Sequence, residues 1–195
     1  MRTLPGREQD TPRAPQISKR PRSVKTTANY FLTTARLGFR RWSATDSELA
    51  LLLWGDLQVT QFIGGPYSKA QIEARLAREI ASMDEYGIQY WPVFLLADGE
   101  FAGCCGLRPF KPEERICELG FHFRPRYCGK GLAVEAARAV IHHASESLKA
   151  RALFAGHYPD NKASARVLEK LGFEFTHEGI YAPTGKTDRC YFLEL

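Results

Sequence analysis

The stretch RPRYCGKGLAVEA, residues 124–136, places two glycines directly before an alanine-rich segment. Gly129 and Gly131 lack a Cβ atom, so the backbone can turn sharply there and approach a ligand closely. The segment from Leu132 onward has the composition of a helix, and the first N–H groups of a helix have no partner within it. Together with the helix dipole, such groups bind anions. The stretch therefore predicts a site for a phosphate group where the loop enters the helix.

The spacing of the glycines distinguishes this loop from two common nucleotide-binding motifs. A Walker loop needs Gly-Lys followed by Ser or Thr, and a dinucleotide-binding loop needs a third glycine; this stretch has neither. It has instead Arg-x-x-Gly-x-Gly, formed by Arg126, Gly129 and Gly131. RICELGFHF, residues 115–123, alternates before it like a strand. We expect the ligand to lie at the carboxyl end of that strand.

The elements around the loop predict an α/β fold. A strand in LGFRRW (37–42) precedes two helices, and the second helix begins with a capping box at Ser68 and Gln71. Three antiparallel strands follow, the first two joined by an Asp98-Gly99 turn. After the loop come a helix, the strand ALFAGH (152–157), a helix ending at Gly172 and a closing strand pair. This order predicts a mixed sheet with helices on both faces.

Composition and charge predict one domain and a basic tail. The chain has 195 residues, 44% of them hydrophobic, and residues 1–30 hold seven Lys or Arg but only two acids. We interpret 1–33 as a flexible extension and 34–195 as the domain. No apolar stretch reaches the length of a membrane span, and the five cysteines form no CxxC pair, so we expect a cytoplasmic protein without a metal or a membrane partner. The tail could instead bind nucleic acid, which we consider the less favoured interpretation.

CELGFHFRPRYCGKGLAVEA (117–136) and DNKASARVLEKLGFE (160–174) together resemble the GCN5-related N-acetyltransferases, or GNAT superfamily. The similarity is greatest to the branch that contains the ribosomal-protein-serine and -alanine N-acetyltransferases. The resemblance implies a GNAT fold of six to seven strands, split where acetyl-CoA binds. It also implies transfer of an acetyl group to a primary amine by direct attack, in a monomer or a homodimer. The acceptor would be a protein N-terminus or a small-molecule amine.

The resemblance also implies which residues hold acetyl-CoA. The loop would bind the pyrophosphate, the strand before it would pair with the pantetheine arm, and an asparagine before the last helix would bond to pantetheine or product. Asn161 could equally be a plain helix cap. Many relatives have Thr or Ser where this chain has Val134. The expected acetyl-CoA-binding residues are Phe121, Phe123, Arg126, Tyr127, Cys128, Gly129, Lys130, Gly131, Leu132 and Asn161.

The resemblance makes Glu118 the candidate general base, because the glutamate of the ELG motif is often proposed for that role in this branch. Strand alternation places it with Gly120 and His122 on one face. Two alternatives stay open: Glu118 could be paired with an arginine, and His122 or His157 could be the base. Many relatives use a tyrosine of the last helix to protonate the leaving thiolate. This chain has Leu168 there, which leaves Ser164 or water for that role.

The resemblance implies that the segment between the first two helices borders the acceptor cleft, and we expect it to bind the acceptor together with His122. Asp56 could receive an ammonium group, or it could only cap a turn. A catalytically inactive CoA-binding module is the main alternative to an enzyme, since Val134 and Leu168 depart from the family pattern. The candidate acceptor residues are Trp54, Asp56, Phe62 and His122.

Overall fold

A computed structural model describes residues 29–182 and 184–195. The strands are β1 (Leu32–Thr33), β2 (Leu37–Phe39), β3 (Tyr90–Leu95), β4 (Phe101–Lys111), β5 (Ile116–Phe123), β6 (Ala152–His157), β7 (Glu174–Tyr181) and β8 (Lys186–Glu194). The helices are α1 (Ser47–Trp54), α2 (Leu57–Thr60), α3 (Lys69–Tyr86), α4 (Leu132–Glu146) and α5 (Lys162–Leu171).

The eight strands form one mixed sheet in the order β1-β2-β3-β4-β5-β6-β8-β7. Neighbouring strands are antiparallel except β5 and β6, which run parallel. This confirms the α/β class and the three-stranded meander around Asp98-Gly99. The sheet has more strands than the expected six to seven, because β1 adds an edge strand beside the predicted β2.

The N-terminal boundary of the folded part lies earlier than residue 34. Leu32 and Thr33 pair with β2, and the Phe31 ring packs 5.2 Å from the Trp91 ring, between centroids. Alternation is too short over two residues to mark β1 in the sequence, so it fell within the predicted extension. The remainder of that extension, residues 1–28, lies outside the described residues.

Two layers of helices cover opposite faces of the sheet. On one face α4 and α5 pack through Val140 and Leu168 against a core that includes Leu119. On the other face α1 and α3 pack through Leu53 and Leu76. The burial of both faces explains why the central strands are apolar on both sides.

The start of α3 and the end of α5 at Gly172 fold as the sequence predicts. Ser68 and Gln71 form the capping box of α3. Gly87 and Gly172 end α3 and α5 in the left-handed conformation, with φ of 72° and 83°. Both are positions where a side chain would strain the backbone.

The parallel pair β5 and β6 is joined over only three residue pairs. Pairing runs from Ile116 with Ala152 to Glu118 with Phe154 and then stops, although both strands continue. Beyond that point β6 pairs only with β8. The sheet is therefore open between the carboxyl ends of β5 and β6, where ligands bind in open α/β sheets.

Candidate active site

A cleft of about 970 Å³ occupies the opening between β5 and β6. Its wall includes residues 118–123 of β5, residues 154–157 of β6, the start of α4 and much of α5. Residues of α2, α3, β3, β4, β7 and β8, and of the segment 61–63, complete it. The cleft thus reaches both faces of the sheet, one on the side of α4 and α5 and the other on the side of α3.

The glycine loop leaves a row of backbone N–H groups free. Gly129 and Gly131 have φ of 74° and 75°, and Gly131 is the residue before α4. Within the described residues, none of the six amides from Gly129 to Val134 donates a hydrogen bond. Free amides at a helix N-terminus are donors for an anion. The loop therefore has the conformation and the donors that the sequence predicts.

Contacts from two other parts of the chain hold the loop in this shape. Arg126 and Tyr127 both donate to Oε2 of Glu100 in the β3–β4 turn, Arg126 at 2.8 Å. On the other side, the Arg36 side chain donates to the Lys130 carbonyl at 3.1 Å. Arg36 also pairs with Glu135 of α4, Nε to Oε2 at 2.6 Å.

The side chains expected to hold the cofactor divide into two groups. Phe121, Phe123, Tyr127, Cys128, Gly129, Gly131, Leu132 and Asn161 line the cleft. Arg126 and Lys130 lie outside its wall, because Arg126 is paired with Glu100 and the Lys130 ammonium lies 5.6 Å from the Tyr127 ring centroid. The positive charge that these two residues are expected to bring to a phosphate would therefore act from the rim of the cleft.

Asn161 caps α5, as the alternative interpretation expects. Its Oδ1 accepts a hydrogen bond from the Ser164 amide at 3.1 Å, and both residues line the cleft. Leu168, one turn further along the helix, is 1% exposed and forms part of the same wall. A cap and a ligand contact are compatible here, since capping uses only the oxygen of the Asn161 amide.

Glu118 lies in the cleft with one oxygen bonded and the other available. The Tyr90 hydroxyl donates to Oε1 at 2.9 Å, while Oε2 has no hydrogen-bond partner within the described ranges. Arg108 lies opposite Glu118 in the register of β4 and β5 but pairs with Glu79 of α3. Glu118 therefore forms no ion pair within the described residues, although Arg108 is close enough for the charge of Glu118 to act on its pKa.

His122 is placed as a neutral ring. Burial lowers its pKa well below the usual range, and the charges of Arg75 and Arg108 lower it further. Its Nδ1 accepts a hydrogen bond from Nε1 of Trp54 at 3.3 Å, which puts the ring proton on Nε2. His122 therefore presents a donor, and no free lone pair, for proton transfer. His157 is buried, with its ring nitrogens near the Tyr158 carbonyl and the Tyr191 hydroxyl.

Of the residues assigned to the acceptor, Phe62 and His122 line the cleft. Trp54 is fully buried beneath it, so its assignment as an acceptor contact does not fit this placement; its indole instead orients His122. Asp56 caps α2 by accepting from the Gln58 amide at 2.8 Å and lies outside the wall. Asp56 therefore has the turn-capping role that the sequence leaves open as its alternative.

Several polar cleft residues have no signal in the sequence. Tyr90, Arg108 and Arg75 come from β3, β4 and α3, and only the register of the sheet and the packing of α3 bring them to Glu118. Tyr181 and Asp188 come from β7 and β8. Burial raises the pKa of Asp188 and of Tyr181. Alternation within one strand cannot identify such neighbours, because they belong to five separate elements.

Two features of the described residues concern membranes and metals. None of the helices in those ranges has both the length and the apolar character to cross a membrane. Nor do these residues gather three or more His, Cys, Asp or Glu side chains into a possible metal site.

The fold and the glycine loop are those of an acetyltransferase. Residues 36–174 match the model of the acetyltransferase (GNAT) domain, and the chain belongs to this family. The YkkB protein of Bacillus subtilis is 32% identical over 147 residues, covering 74% of this chain and 86% of YkkB. The N-acetyltransferase YnaD of the same organism is 34% identical over 151 residues, covering 77% and 85%. The chain is accordingly an enzyme of the N-acetyltransferase class.

Solved structures share the same fold. An acetyltransferase from Agrobacterium tumefaciens superposes with a TM-score of 0.71 at 26% identity, covering 84% of this chain and 94% of that protein. RimL, a ribosomal L7/L12 α-N-protein acetyltransferase solved in complex with coenzyme A, superposes with a TM-score of 0.72 at 16% identity. That likeness covers 83% of this chain and 96% of RimL.

Proposed function

We propose that the protein transfers the acetyl group of acetyl-CoA to a primary amine. The observation that carries this proposal is the row of six free amides from Gly129 to Val134 at the edge of the cleft. A pyrophosphate needs several donors and no fixed metal when it lies at a helix N-terminus. The structure of RimL with coenzyme A supports the choice of ligand.

The residues present fit acetyl-CoA. The loop amides would hold the pyrophosphate, and the open edge of β5 at Phe121 and Phe123 would receive the pantetheine arm in the manner of an added strand. Asn161 would bond to that arm through the amide nitrogen that capping leaves free. Arg126 and Lys130 would contribute positive charge from the rim. Val134 supplies only its backbone amide, since it carries no hydroxyl.

Acetyl-CoA would supply an acyl group activated as a thioester. Glu118 would accept the proton of the attacking amine on Oε2, directly or through a water, while Tyr90 fixes Oε1. Neutral His122, with Nε2–H as a donor, and the Phe62 ring would contact the acceptor. Ser164 or a water would protonate the departing thiolate, because Leu168 carries no acidic group.

Binding and turnover test the proposal separately. Isothermal titration of the purified protein with acetyl-CoA, CoA, NAD and ATP should give binding for the first two only. Gly129→Val should abolish that binding, since a β-branched side chain strains a residue at φ 74° and the loop amides move. Gly87→Val is the matched control: its φ is 72°, open space surrounds both positions, and Gly87 lies at the far end of α3.

Both variants should lose similar stability, but only Gly129→Val should lose the ligand. Equal acetyl-CoA affinity in wild type and Gly129→Val would overturn the proposed pyrophosphate site. Release of thiol from acetyl-CoA in the presence of a panel of amines then tests catalysis. Binding without thiol release for every amine would favour the inactive CoA-binding module. Salt-sensitive nucleic-acid binding that disappears when residues 1–28 are removed would favour the tail-based alternative.

A further inference from the structure

Arg75 of α3 is a buried cation that forms no ion pair with a carboxylate among the described residues. Arg75 is 6% exposed, and its Nε is buried without a hydrogen-bond partner among the described residues. The guanidinium stacks on two rings, 4.8 Å from the Trp54 centroid and 5.9 Å from the Tyr67 centroid. No ion pair to Arg75 occurs within residues 29–182 and 184–195. A buried charge without a partner is costly, so a partner supplied by a ligand would relieve this cost.

The guanidinium is directed at the cleft, on the acceptor side of the sheet. Arg75 lines the cleft with Tyr90, Glu118 and His122, all of which lie on the face covered by α1 and α3. The charges of Arg75 and Glu118 both act on the pKa of Tyr181, which burial raises. Arg75 and the candidate base thus border the same part of the cleft.

The other charges on this face have a different arrangement. Arg108 is paired with Glu79, which is 1% exposed. Glu118 on β5 and Asp188 on β8 present carboxylates from the sheet, and the charge of Glu118 acts on Asp188. On the face covered by α1 and α3, the cleft therefore has carboxylates on its sheet wall and the guanidinium of Arg75, which has no ion pair within the described residues, on its helix wall. An acceptor with a cationic amine and a separate anionic group matches that arrangement.

We propose that Arg75 binds an anionic group of the acceptor, so that the acceptor is a small amine that also carries a carboxylate or a phosphate. The amine would lie near Glu118 and Asp188, and the anion against Arg75. The planar guanidinium suits both oxyanions, since two of its N–H groups can bond two oxygens at once. This inference rests on the proposed acetyl transfer and names the acceptor class for it. Polycations such as spermidine would be poor acceptors, because they would face Arg75 with like charge.

Matched pairs of amines test the inference on the wild-type protein. Thiol release from acetyl-CoA is measured with amino acids against their amides, and with phosphoethanolamine against ethanolamine. Spermidine completes the panel. The charged member of at least one pair should have a kcat/KM higher by about tenfold or more. Removing the anion lowers the amine pKa, so without an anion site the neutral member would react at least as fast. The two pairs separate a carboxylate from a phosphate as the bound group.

Variants assign the preference to Arg75. Arg75→Gln should reduce kcat/KM for the charged acceptor by roughly tenfold to a hundredfold and leave the neutral analogue nearly unchanged. Arg75→Lys keeps the positive charge but loses the planar pair of N–H groups, so it should restore part of the preference for the charged acceptor. Arg78→Gln is the control, since Arg78 lies on the same helix but is exposed, and it should change neither acceptor. Acetyl-CoA affinity should be equal in all three variants, which verifies that they fold.

The outcomes keep the two proposals apart. Thiol release at equal rates with the charged and neutral members of every pair, or a preference for spermidine, would overturn the anion site and leave acetyl transfer standing. A preference that persists in Arg75→Gln would also overturn it. Failure to bind acetyl-CoA at all would remove the proposed function and the inference with it. If Arg75→Gln does not fold, the matched amine pairs on wild type and the Arg75→Lys variant still test whether Arg75 binds the anion.

Discussion

The Tyr90 hydroxyl reaches across β4 to donate a hydrogen bond to Oε1 of Glu118, at 2.9 Å. Tyr90 belongs to β3 and Glu118 to β5, so the tyrosine ring must cross one intervening strand. Gly120 makes this crossing possible, because a Cβ atom there would lie 2.1 Å from the end of the ring. The contact orients the carboxylate and leaves Oε2 open to the cleft.

Glu118→Gln should lower kcat by about two to three orders of magnitude near neutral pH, the usual range for loss of a general base. Glutamine keeps the size of the side chain and the oxygen that Tyr90 contacts, so acetyl-CoA affinity should not change. The rate should recover at high pH, where the amine loses its proton without help. Steady-state kinetics from pH 6 to 10 and titration with acetyl-CoA measure both effects. Equal rates in the two proteins at every pH would remove Glu118 from the role of base.

Tyr90→Phe should lower kcat for acetyl transfer by about fivefold to tenfold and leave acetyl-CoA affinity unchanged. The hydrogen bond from Tyr90 to Oε1 fixes the orientation of the Glu118 carboxylate, and burial keeps the tyrosine a donor by raising its pKa well above the usual value. Without the donor the carboxylate loses this fixed orientation, at a cost of about 1 kcal/mol for one hydrogen bond. Steady-state kinetics by thiol release and titration with acetyl-CoA measure both effects.

Tyr86→Phe is the control for that experiment. Tyr86 is exposed at the end of α3, and its substitution should leave kcat unchanged. An unchanged kcat in Tyr90→Phe would show that Tyr90 only packs against the sheet.

Gly120→Ala should destabilise the protein by roughly 1–3 kcal/mol, because the new methyl group overlaps the buried Tyr90 ring. It should also lower activity by displacing the ring from Glu118. The test is a double-mutant cycle in urea unfolding: Gly120→Ala should cost much less in a Tyr90→Leu background, where no ring fills the space. Equal losses of unfolding free energy in both backgrounds would show that the two residues do not interact.

The local elements around the loop could be predicted from the sequence because each has a signal within a few residues. The Gly129-Gly131 spacing and the capping box at Ser68 are of this kind. The polar residues of the cleft could not be predicted from the sequence. Arg75 and Asp188 line the same cleft as Glu118 only because of the order of the sheet strands and the packing of α3. The indole of Trp54 shows the same limit: its aromatic character fits an acceptor contact as well as a core position, and only burial distinguishes them.

Glu135→Gln should reduce stability at neutral pH by about 1 kcal/mol and weaken acetyl-CoA binding several-fold. Glu135 accepts hydrogen bonds from Thr34 Oγ1 at 2.6 Å and from the Arg36 backbone at 3.0 Å, and it pairs with the Arg36 side chain that holds the loop. Glutamine has one acceptor oxygen and no charge, so part of this network is lost.

The pH dependence of this loss has a definite sign. Burial alone would raise the pKa of Glu135, but the hydrogen bonds and charge of Thr34 and Arg36 outweigh it and lower the pKa from its ordinary value of 4.5. A carboxylate with a lowered folded pKa stabilises the protein fully above its unfolded pKa, and less as pH falls through the folded one. Urea unfolding should therefore show the full difference in unfolding free energy between wild type and Glu135→Gln at pH 7 and a smaller difference below pH 4.5.

Glu73→Gln is the control, because Glu73 forms only an exposed pair with Lys69 at 3.8 Å, and its unfolding free energy should differ little from that of wild type at either pH. A deficit of Glu135→Gln that stays constant down to pH 3 would show that the loss comes from packing and not from the ionised carboxylate.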